Sequence, residues 1–438
     1  MLSPQRRHEV LDALRRGTVP RTSLDALAVG LDRFDAAMDQ ELESVKRTGG
    51  GFKAVRGEYG SGKTFFARWL QERAKRMGFA TAEVQISEAE TPLHRLETVY
   101  RRLMERLATP DTPGGALRSI VDGWFYALEE DVLAEGQLDE SQTRALVDRT
   151  TALMEQRLAA ITRDAPAFAA ALRGYRNALA KGDIPTAEGL IAWVSGQPNV
   201  GAQIKRAAGL KGDVDHFGAL SFLRGLLLIL RDSGSAGLLL VLDEVETLQR
   251  VRGDVREKGL NALRQLIDEI DAGRFPGLYL VVTGTPSFFD GPQGVQRLPP
   301  LAQRLSVDFG TDARFDNPRA VQIRLLGFTL ETLTLVGRKV RDIYASGALR
   351  PERIGTAADD AYIAALASAV VGRLGGRVGV APRVFLKKLV ADVLDRIDQF
   401  PEFDPRQDYA LTLADAEMTP AERAAAATQS VDDIELRL

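Results

Sequence analysis

An eight-residue run, GEYGSGKT, constrains this chain more than any other part of its sequence. It occupies Gly57 to Thr64, after the apolar stretch Phe52 to Arg56 and before an amphipathic run that reaches Met77. Glycine tolerates positive φ, so a loop rich in glycine can turn successive N–H groups toward one anion. A lysine and the positive end of a following helix add charge at the same place. The run therefore predicts a strand, a phosphate-binding loop and a helix, the opening of a parallel α/β sheet.

Each position of this run has an expected task toward a nucleoside triphosphate. Lys63 would place its ammonium on the β and γ phosphates, and the Thr64 hydroxyl would hold Mg²⁺. The backbone of the other six residues would surround the phosphates; these are Gly57, Glu58, Tyr59, Gly60, Ser61 and Gly62. The run therefore predicts a nucleoside triphosphate and Mg²⁺ as cofactors. A chance glycine-rich turn is the alternative, and the strand and helix on either side argue against it.

A second run, LLLVLDEVE from Leu238 to Glu246, is continuously apolar and then acidic. Such a run is typical of a strand buried on both faces, which places its acidic end at the carboxyl edge of a parallel sheet. A buried carboxylate pair is unfavourable unless a cation or hydrogen bonds compensate. We therefore expect Asp243 to hold Mg²⁺, directly or through water, and Glu244 to orient and polarise the water that attacks the γ-phosphate. An acidic helix cap is the alternative, and Glu246 is expected to face solvent.

Hydrophobic spacing predicts the remaining elements. Strands are expected at Ala80 to Ile86, at Leu278 to Val282 and, shorter, at Ser306 to Phe309. In most of residues 88–237, apolar residues recur at spacings of three and four, which predicts packed helices with Trp124 and Trp193 in their core. By chain order this gives an N-terminal helical segment (1–50), a core (51–317) with a helical insertion at about 89–236, a helical domain (318–400) and a loosely packed tail (401–438).

Composition excludes several classes of chemistry. The 438-residue chain has no cysteine, so disulfides, thiolate metal sites and cysteine nucleophiles are excluded. Its three histidines, His8, His94 and His216, lack the spacing of metal ligands. A net charge of −3 differs from that of a strongly basic nucleic-acid-binding domain. Because the chain has neither a secretion signal nor a long apolar stretch, we expect a cytoplasmic protein without membrane contact.

The order of these features resembles the AAA+ ATPase superfamily, in its origin-recognition and STAND-like branch. A phosphate loop, an acidic strand, a polar-ended strand, an arginine and a helical lid with its own arginine follow one another in the chain. The resemblance implies an α/β fold: a three-layer α-β-α parallel sheet with a large helical insertion and a C-terminal helical lid. It also implies that Thr283 is sensor 1, that Arg304 is the arginine finger inserted by a neighbouring subunit of a homo-oligomer, and that Arg383 is sensor 2. Arg297 is the alternative finger.

A finer resemblance covers nearly the whole chain. The segments LRRGTVP, AVGLD, GEYGSGKT, LVLDEVE, VTGTP and DVLDRID, in this order, look like those of ATP-binding proteins of BREX-type phage-defence systems, in the BrxD-like group. The resemblance implies an ATPase that acts with other defence proteins, often a partner helicase, on or around DNA. Many origin-recognition relatives carry a winged-helix domain after the lid, and the residues after Phe400 are too few for one. We therefore expect no autonomous sequence-specific DNA binding.

Signals for nucleic acid are weak elsewhere. The insertion carries basic residues near two aromatic ones, a composition compatible with a groove for the DNA backbone. They are Arg173, Arg176, Lys181, Lys205, Arg206 and Lys211, with Tyr175 and Trp193. Interleaved Asp183 and Glu188 favour a solvated helix face instead. DNA contact, where it occurs, is expected to be independent of sequence.

The sequence thus favours an oligomeric ATPase that couples hydrolysis to remodelling of DNA or of a defence complex. The alternative is an ATP-gated scaffold or switch that regulates a partner helicase and hydrolyses little ATP itself. A kinase-like phosphotransferase is disfavoured, because no separate acceptor pocket is evident and an arginine used in trans fits an oligomer better.

Overall fold

The computed structural model describes residues 2–136, 143–376, 379, 381–419, 422, 423 and 426. The chain forms two compact units, each assembled from separate stretches of sequence. Unit 1 combines Met1–Met38, Val55–Glu72 and Asp308–Leu438, and unit 2 combines Asp39–Ala54 with Arg73–Val307. The predicted phosphate loop and lid therefore share unit 1 with the start of the chain, whereas the insertion belongs to unit 2.

Five parallel strands form one sheet, which confirms the predicted α/β class. They are β1 (Gly51–Arg56), β2 (Phe79–Gln85), β3 (Gly237–Asp243), β4 (Leu278–Gly284) and β5 (Gln322–Arg324), in the spatial order β2-β3-β4-β1-β5. β2 pairs with β3 from Phe79 opposite Gly237 to Gln85 opposite Asp243. All residues of β3 and β4 are buried, as expected for parallel strands covered on both faces.

Two glycines permit the close approach of β3 and β4 at their start. Gly237 and Gly277 have φ of 145° and 87°. A Cβ on Gly237 would lie 2.2 Å from the carbonyl oxygen of Gly277, far inside van der Waals contact. The Leu238 N–H donates to that same oxygen at 2.8 Å. A side chain at position 237 would therefore break the first hydrogen bond between these strands.

Helices surround the strands and fill the insertion. The first three are α1 (Pro4–Arg15), α2 (Asp32–Thr48) and α3 (Lys63–Arg76). The insertion, between β2 and β3, contains α4 (Leu96–Arg106), α5 (Leu117–Ala134), α6 (Thr143–Asp164), α7 (Pro166–Ala180), α8 (Ile184–Val194), α9 (Ala202–Ala207) and α10 (His216–Asp232). After β3 come α11 (Gly253–Asp271), α12 (Pro286–Asp290) and α13 (Pro299–Leu305). Short 3₁₀ turns occupy Leu24–Ala26, Val245–Gln249, Val295–Arg297, Ala313–Phe315 and Asp415–Glu417.

The insertion has an aromatic core of its own. The Phe222 ring on α10 contacts Tyr100, Phe168 and Trp193, with ring centroids 5.9, 5.3 and 5.5 Å away. Trp124 is also buried, and its indole N–H donates to an Asp232 carboxylate oxygen at 2.6 Å. Both tryptophans therefore lie in helix packing, as their sequence spacing predicts.

The helices predicted to form the lid belong to unit 1. They are α14 (Leu330–Ala345), α15 (Pro351–Ala357), α16 (Asp360–Arg373), α17 (Pro382–Lys387), a π-helical stretch (Lys388–Leu394) and α18 (Asp395–Gln399). Thr329 and Thr332 form a reciprocal capping box at the start of α14. The apolar faces of these helices share one buried cluster with α1. No single described helix is long and apolar enough to cross a membrane; α15 and α16 pass that test only as a pair bent by 57°.

The short strand predicted at Ser306 to Phe309 is wrong. The fifth strand is instead Gln322–Arg324, inside the region predicted to be helical. Phe309 packs its ring 4.8 Å from the Arg56 guanidinium and 5.1 Å from that of Arg324. Cation–π contacts thus fix Phe309 as a side-chain anchor beside the strand, and a three-residue strand is too short to show an alternating pattern.

The start of the predicted tail is packed rather than loose. Tyr409, Leu411 and Leu413 lie against the apolar cluster of the lid, and Met418 is buried in it. The predicted alanine run at 424–427 lies, apart from residue 426, outside the described residues. The expectation of a loose tail therefore fails for the described part, because apolar residues spaced by two give it a buried side.

Candidate functional site

The predicted phosphate loop lies in unit 1, between the end of β1 and the start of α3. Gly60 and Gly62 have φ of 80° and 90°, in the left-handed region that glycine enters without strain. A Cβ on Gly57 would lie 2.2 Å from Ser61 Oγ and 3.2 Å from Ser61 Cβ, so a side chain at this position would force Ser61 to move. Ser61 Oγ is buried and has no hydrogen-bond partner among the described residues. The glycines thus allow the tight turn that aims the first N–H groups of α3 at the loop.

Lys63, the first residue of α3, folds back over this loop. Its buried ammonium donates to the carbonyl oxygens of Gly57 at 2.9 Å and Glu58 at 3.2 Å. Both acceptors are neutral, and charged phosphate oxygens form stronger hydrogen bonds with an ammonium. Glu58 and Tyr59 are exposed, and Thr64 is half-buried in the first turn of α3. The loop therefore turns tightly around the lysine ammonium, and its binding of phosphate stays a prediction.

In unit 2, polar side chains meet at the carboxyl ends of β3 and β4. Asp243 and Thr283 are buried, and the Thr283 hydroxyl donates to Asp243 Oδ1. The Glu244 N–H lies 3.2 Å from Asp243 Oδ1 and also from Thr283 Oγ1. The structure thus brings together three of the residues predicted for hydrolysis. A buried carboxylate with one oxygen fixed by a hydroxyl is a suitable ligand for a hard cation such as Mg²⁺.

The backbone of Glu244 is strained. Its φ of 61° and ψ of 42° lie in the left-handed region, although it carries a full side chain. A non-glycine residue held there costs about 1–3 kcal/mol and persists only where the surrounding contacts fix it. Here its N–H contacts Asp243 and Thr283, and its carbonyl oxygen accepts hydrogen bonds from Thr247. The chain thus turns out of the strand conformation at Glu244, directly after the end of β3.

Gln85 joins this group and was missed by sequence reasoning. Its side-chain amide donates to Glu244 Oε2 at 2.8 Å. Gln85 is the last residue of β2 and lies opposite Asp243 in the parallel register. Its only sequence signal is a polar residue at the end of a predicted strand. The pairing itself could not be foreseen, because the two strands are separated in sequence by the whole insertion.

The two candidate arginine fingers differ in their partners. Arg304, on α13, lies with Nε 2.6 Å from Asp268 Oδ1 of α11, and its Nη1 donates to the Pro300 carbonyl oxygen at 2.9 Å. Arg297 is exposed, and its guanidinium has no hydrogen bond or ion pair with the residues described. Arg304 is therefore held within its own unit, whereas the Arg297 guanidinium has no bonded partner in the described part of the chain.

Arg383, the predicted sensor 2, lies near the start of α17 in unit 1. Its guanidinium forms a two-pronged ion pair with Glu422, with Nε 2.9 Å from Oε1 and Nη2 2.5 Å from Oε2. This hydrogen-bonded pair raises the pKa of Arg383 against the effect of burial, and the Tyr59 side chain adds a smaller rise. Arg383 therefore lies near the phosphate loop of its own unit but is bonded to a carboxylate.

The basic residues that were considered for DNA are mostly engaged within the insertion. Arg173 pairs with Glu155 at 2.8 Å, and Lys205 pairs with Asp213 at 3.0 Å. Arg176 lies 5.3 Å from the Phe125 ring, where burial lowers its pKa. Arg206 donates to a backbone carbonyl, whereas Lys181 and Lys211 are exposed. The Tyr175 hydroxyl donates to Asp122, and the Trp193 indole N–H donates to the Gly212 carbonyl oxygen. The DNA groove stays a prediction.

Two of the histidines line one open polar groove of about 750 Å³ in unit 2. His94 precedes α4, His216 begins α10, and the groove floor is the charged face of α11. Burial, followed by the charges of Arg95 and Lys258, lowers the pKa of His94. The described residues contain no group of three or more ligands suited to a metal ion.

Comparison with family models identifies the family of the chain. A family model described as "BREX system ATP-binding protein BrxC/D" matches residues 2–413. No curated protein matches the sequence. The match spans nearly the whole chain, including the phosphate loop, the acidic end of β3 and the lid. The chain therefore belongs to the BrxC/D family of BREX system ATP-binding proteins.

Proposed function

We propose that this protein hydrolyses ATP in a BREX phage-defence system and uses the hydrolysis to remodel a complex of defence proteins or DNA. Family membership supports ATP binding, and the proposal adds the chemistry. The observation that carries it is the group Asp243, Glu244, Thr283 and Gln85 at the strand ends of unit 2. A protein that only binds ATP has no need for a strained glutamate whose carboxylate and backbone are both held in place.

In this proposal, Glu244 is the general base. Its carboxylate orients and polarises the attacking water, while the amide of Gln85 limits its rotation. Thr283 is the positioning residue, because its hydroxyl contacts Asp243 and its oxygen receives the Glu244 N–H. A base fixed before the substrate binds needs no reorganisation during the reaction, which lowers the barrier.

The phosphate loop supplies the binding energy. Lys63 exchanges the carbonyl oxygens of Gly57 and Glu58 for phosphate oxygens, and the loop N–H groups bind the same phosphates. The Thr64 hydroxyl and the Asp243 carboxylate provide the oxygen ligands that Mg²⁺ prefers. Bound Mg²⁺ would neutralise charge on the β and γ phosphates. Thr64 and Asp243 are thus assigned to hold the metal, directly or through water.

We further propose that the active form is a homo-oligomer, because the arginine that neutralises the transition state is expected from a neighbouring copy. Arg304 takes this role once it leaves Asp268, and Arg297 is the alternative. The proposed targets of the remodelling are a partner helicase, other defence proteins, or DNA bound without sequence preference.

The second candidate is an ATP-gated switch with little hydrolysis. It is favoured by one observation: Arg383 is bonded to Glu422 and Arg304 to Asp268, so two arginines expected at the γ-phosphate are engaged elsewhere. In a switch, ATP binding would move the lid and regulate the partner, and turnover would be slow.

Steady-state hydrolysis of MgATP by the full chain, with and without single- and double-stranded DNA, separates the candidates. An ATPase shows multiple turnovers that Lys63→Ala abolishes, whereas Lys46→Ala, which removes an exposed lysine of α2, does not. A switch binds ATP with the same dependence on Lys63 but shows only about one turnover per hour, the rate of a switch GTPase without its activator. Hydrolysis that survives Lys63→Ala would contradict the assignment of the phosphate loop.

A further inference from the structure

The segment after the lid covers the lid arginine with an anion. Glu422 is 1% exposed, and both of its carboxylate oxygens are bonded to the Arg383 guanidinium. The Arg383 Nη2 also donates to the backbone carbonyl of Glu417 at 2.6 Å. A planar guanidinium with two parallel bonds to one carboxylate is among the most specific charged pairs in proteins. These residues form a built site for an anion, which the chain itself fills.

A second carboxylate anchors the same segment. Glu417 accepts hydrogen bonds from Lys388 at 2.9 Å and Lys387 at 3.2 Å. These bonds, first that from Lys388, lower the pKa of Glu417 to about 2, so it is ionised at neutral pH. Thr419 and Glu422 exchange backbone and side-chain hydrogen bonds, which hold the Glu422 carboxylate on Arg383. The segment (residues 417–419, 422 and 423) thus contacts three cations of consecutive lid turns.

Arg383 is close to the phosphate loop within unit 1. The Tyr59 side chain of the loop contributes to the raised pKa of Arg383. A Cβ added to Gly379, four residues before Arg383, would lie 3.9 Å from the Tyr59 carbonyl oxygen. A Cβ on Gly17 would lie 3.1 Å from Arg383 Nη1, so a glycine of the N-terminal segment leaves room for the guanidinium. Arg383, the cation expected to contact the γ-phosphate, therefore lies beside the loop and is paired with the Glu422 carboxylate.

We propose that Glu422 and Glu417 make this segment autoinhibitory: they occupy the Arg383 site until the terminal phosphate of a nucleoside triphosphate displaces Glu422. A nucleoside diphosphate lacks that phosphate and leaves the pair intact. The segment thereby reports the presence of the third phosphate to whatever contacts the lid. This inference rests on the proposed function, since it assigns the nucleotide to the phosphate loop.

The test compares Glu422→Gln with Glu402→Gln in the full chain, by calorimetric titration with Mg-ATPγS and Mg-ADP. Glu402 is an exposed carboxylate near the start of the tail without a described ion pair, so its variant is a matched control. Removal of the competing charge is expected to tighten ATPγS binding by about tenfold, the effect of one hydrogen bond to a charged group, and to leave ADP unchanged. Hydrogen exchange of amides 417–419, 422 and 423 in the wild type should rise with ATPγS and not with ADP.

A double variant, Glu422→Gln with Arg383→Ala, removes a purely structural explanation. If the carboxylate acts by competing for Arg383, Glu422→Gln has no effect on ATPγS affinity once Arg383 is absent. Should Glu422→Gln fail to fold, as seen by circular dichroism, Glu422→Asp carries the test, because it withdraws the carboxylate by one methylene and keeps its charge.

Three results overturn the inference: unchanged or weaker ATPγS binding by Glu422→Gln, equal tightening of ATPγS and ADP, or unchanged exchange in the segment when the wild type is saturated with ATPγS. A wild type that binds neither nucleotide is a different failure, because it removes the proposed function and the inference with it. Titration of the wild type alone therefore distinguishes the two.

Discussion

The acids at the strand ends of unit 2 and two cations of unit 1, Lys63 and Arg383, have opposite kinds of partner. In unit 2, the acids at the strand ends are fixed by neutral donors, the Thr283 hydroxyl and the Gln85 amide. In unit 1, the cations are held by oxygen acceptors, Lys63 by loop carbonyls and Arg383 by a carboxylate. The acids can meet a cation or a water without losing these partners, whereas the cations must exchange theirs. In the proposed mechanism, the group at the strand ends is preorganised, and the phosphate loop with the nearby Arg383 is the part that responds to ligand.

The largest expected effect concerns the arginine that a neighbouring copy is proposed to supply. This arginine, Arg304, extends the comparison to a cation of unit 2. Arg304→Ala should slow hydrolysis by about 10³ to 10⁵, the usual effect of losing an arginine finger. Mixing Arg304→Ala with Glu244→Gln should restore activity, since some interfaces then carry both intact groups. The measurement is steady-state hydrolysis over a range of mixing ratios, with subunit exchange confirmed.

Arg297→Ala is the matched control for this experiment. Arg297→Ala should leave the hydrolysis rate nearly unchanged if Arg304 is the finger. The two variants are matched because both residues are surface arginines of the same region. A large loss in Arg297→Ala together with a silent Arg304→Ala would reverse the assignment. In that case the Asp268 pair of Arg304 would be structural.

The second effect tests whether the preorganised end is catalytic. Glu244→Gln should bind ATP with wild-type affinity and hydrolyse it about 10²- to 10⁴-fold more slowly, because an amide cannot accept the proton of water. Glu257→Gln, which removes the same charge from an exposed position of α11, is the control and should keep most of the activity. Wild-type turnover by Glu244→Gln would show that another group activates water.

A smaller effect is expected from Gln85→Ala. Loss of one hydrogen bond to a carboxylate should lower kcat by up to about tenfold and leave the ATP affinity unchanged, because the base gains rotational freedom. Single-turnover kinetics measure the chemical step directly. A rise in kcat would mean that Gln85 holds Glu244 away from water. The acids of unit 2 would then not be preorganised for the reaction.

The smallest effect is a pH dependence of stability in unit 1. The folded pKa of Glu417, about 2, is below its ordinary value of 4.5, so its ion pairs stabilise the fold above pH 4.5 and lose this contribution as pH falls toward 2. Because Glu417 and Lys387 are partly exposed, solvent screens these pairs, and Glu417→Gln should lower Tm by about 1–3 °C at pH 7. Thermal melts should show this difference shrinking at pH 3. A difference that persists there would mean that the carboxylate acts by shape rather than by charge.

The elements that carry the site were predictable because each is encoded locally. A phosphate loop needs its glycines and lysine in one run, and β3 and β4 are continuous apolar stretches of sequence. Family resemblance then supplied the order of Thr283, Arg304 and Arg383. What the sequence could not supply is the present partner of each side chain.

Three such partners are distant in sequence. Gln85 contacts Glu244, Asp268 holds Arg304, and Glu422 holds Arg383. A carboxylate or an amide at these positions has the appearance of ordinary surface polarity until the register of the strands and helices is fixed. The fifth strand was predicted at the wrong position for the same reason. A strand of three residues forms because it pairs with a neighbouring strand, and its own sequence pattern is too short to indicate it.

The register of β2 and β3 has a consequence for how the chain reaches this structure. Phe79 pairs with Gly237, 158 positions later. At about 5–20 residues per second, a ribosome delivers β3 about 8–30 s after β2, far longer than a helix needs to form. Closing a loop of that length from an unstructured chain would cost about 4–5 kcal/mol in entropy. The insertion, with its own aromatic core, is therefore expected to fold first and to bring the strand ends together, so a destabilised insertion should lower the yield of assembled sheet even where no residue of the site is touched.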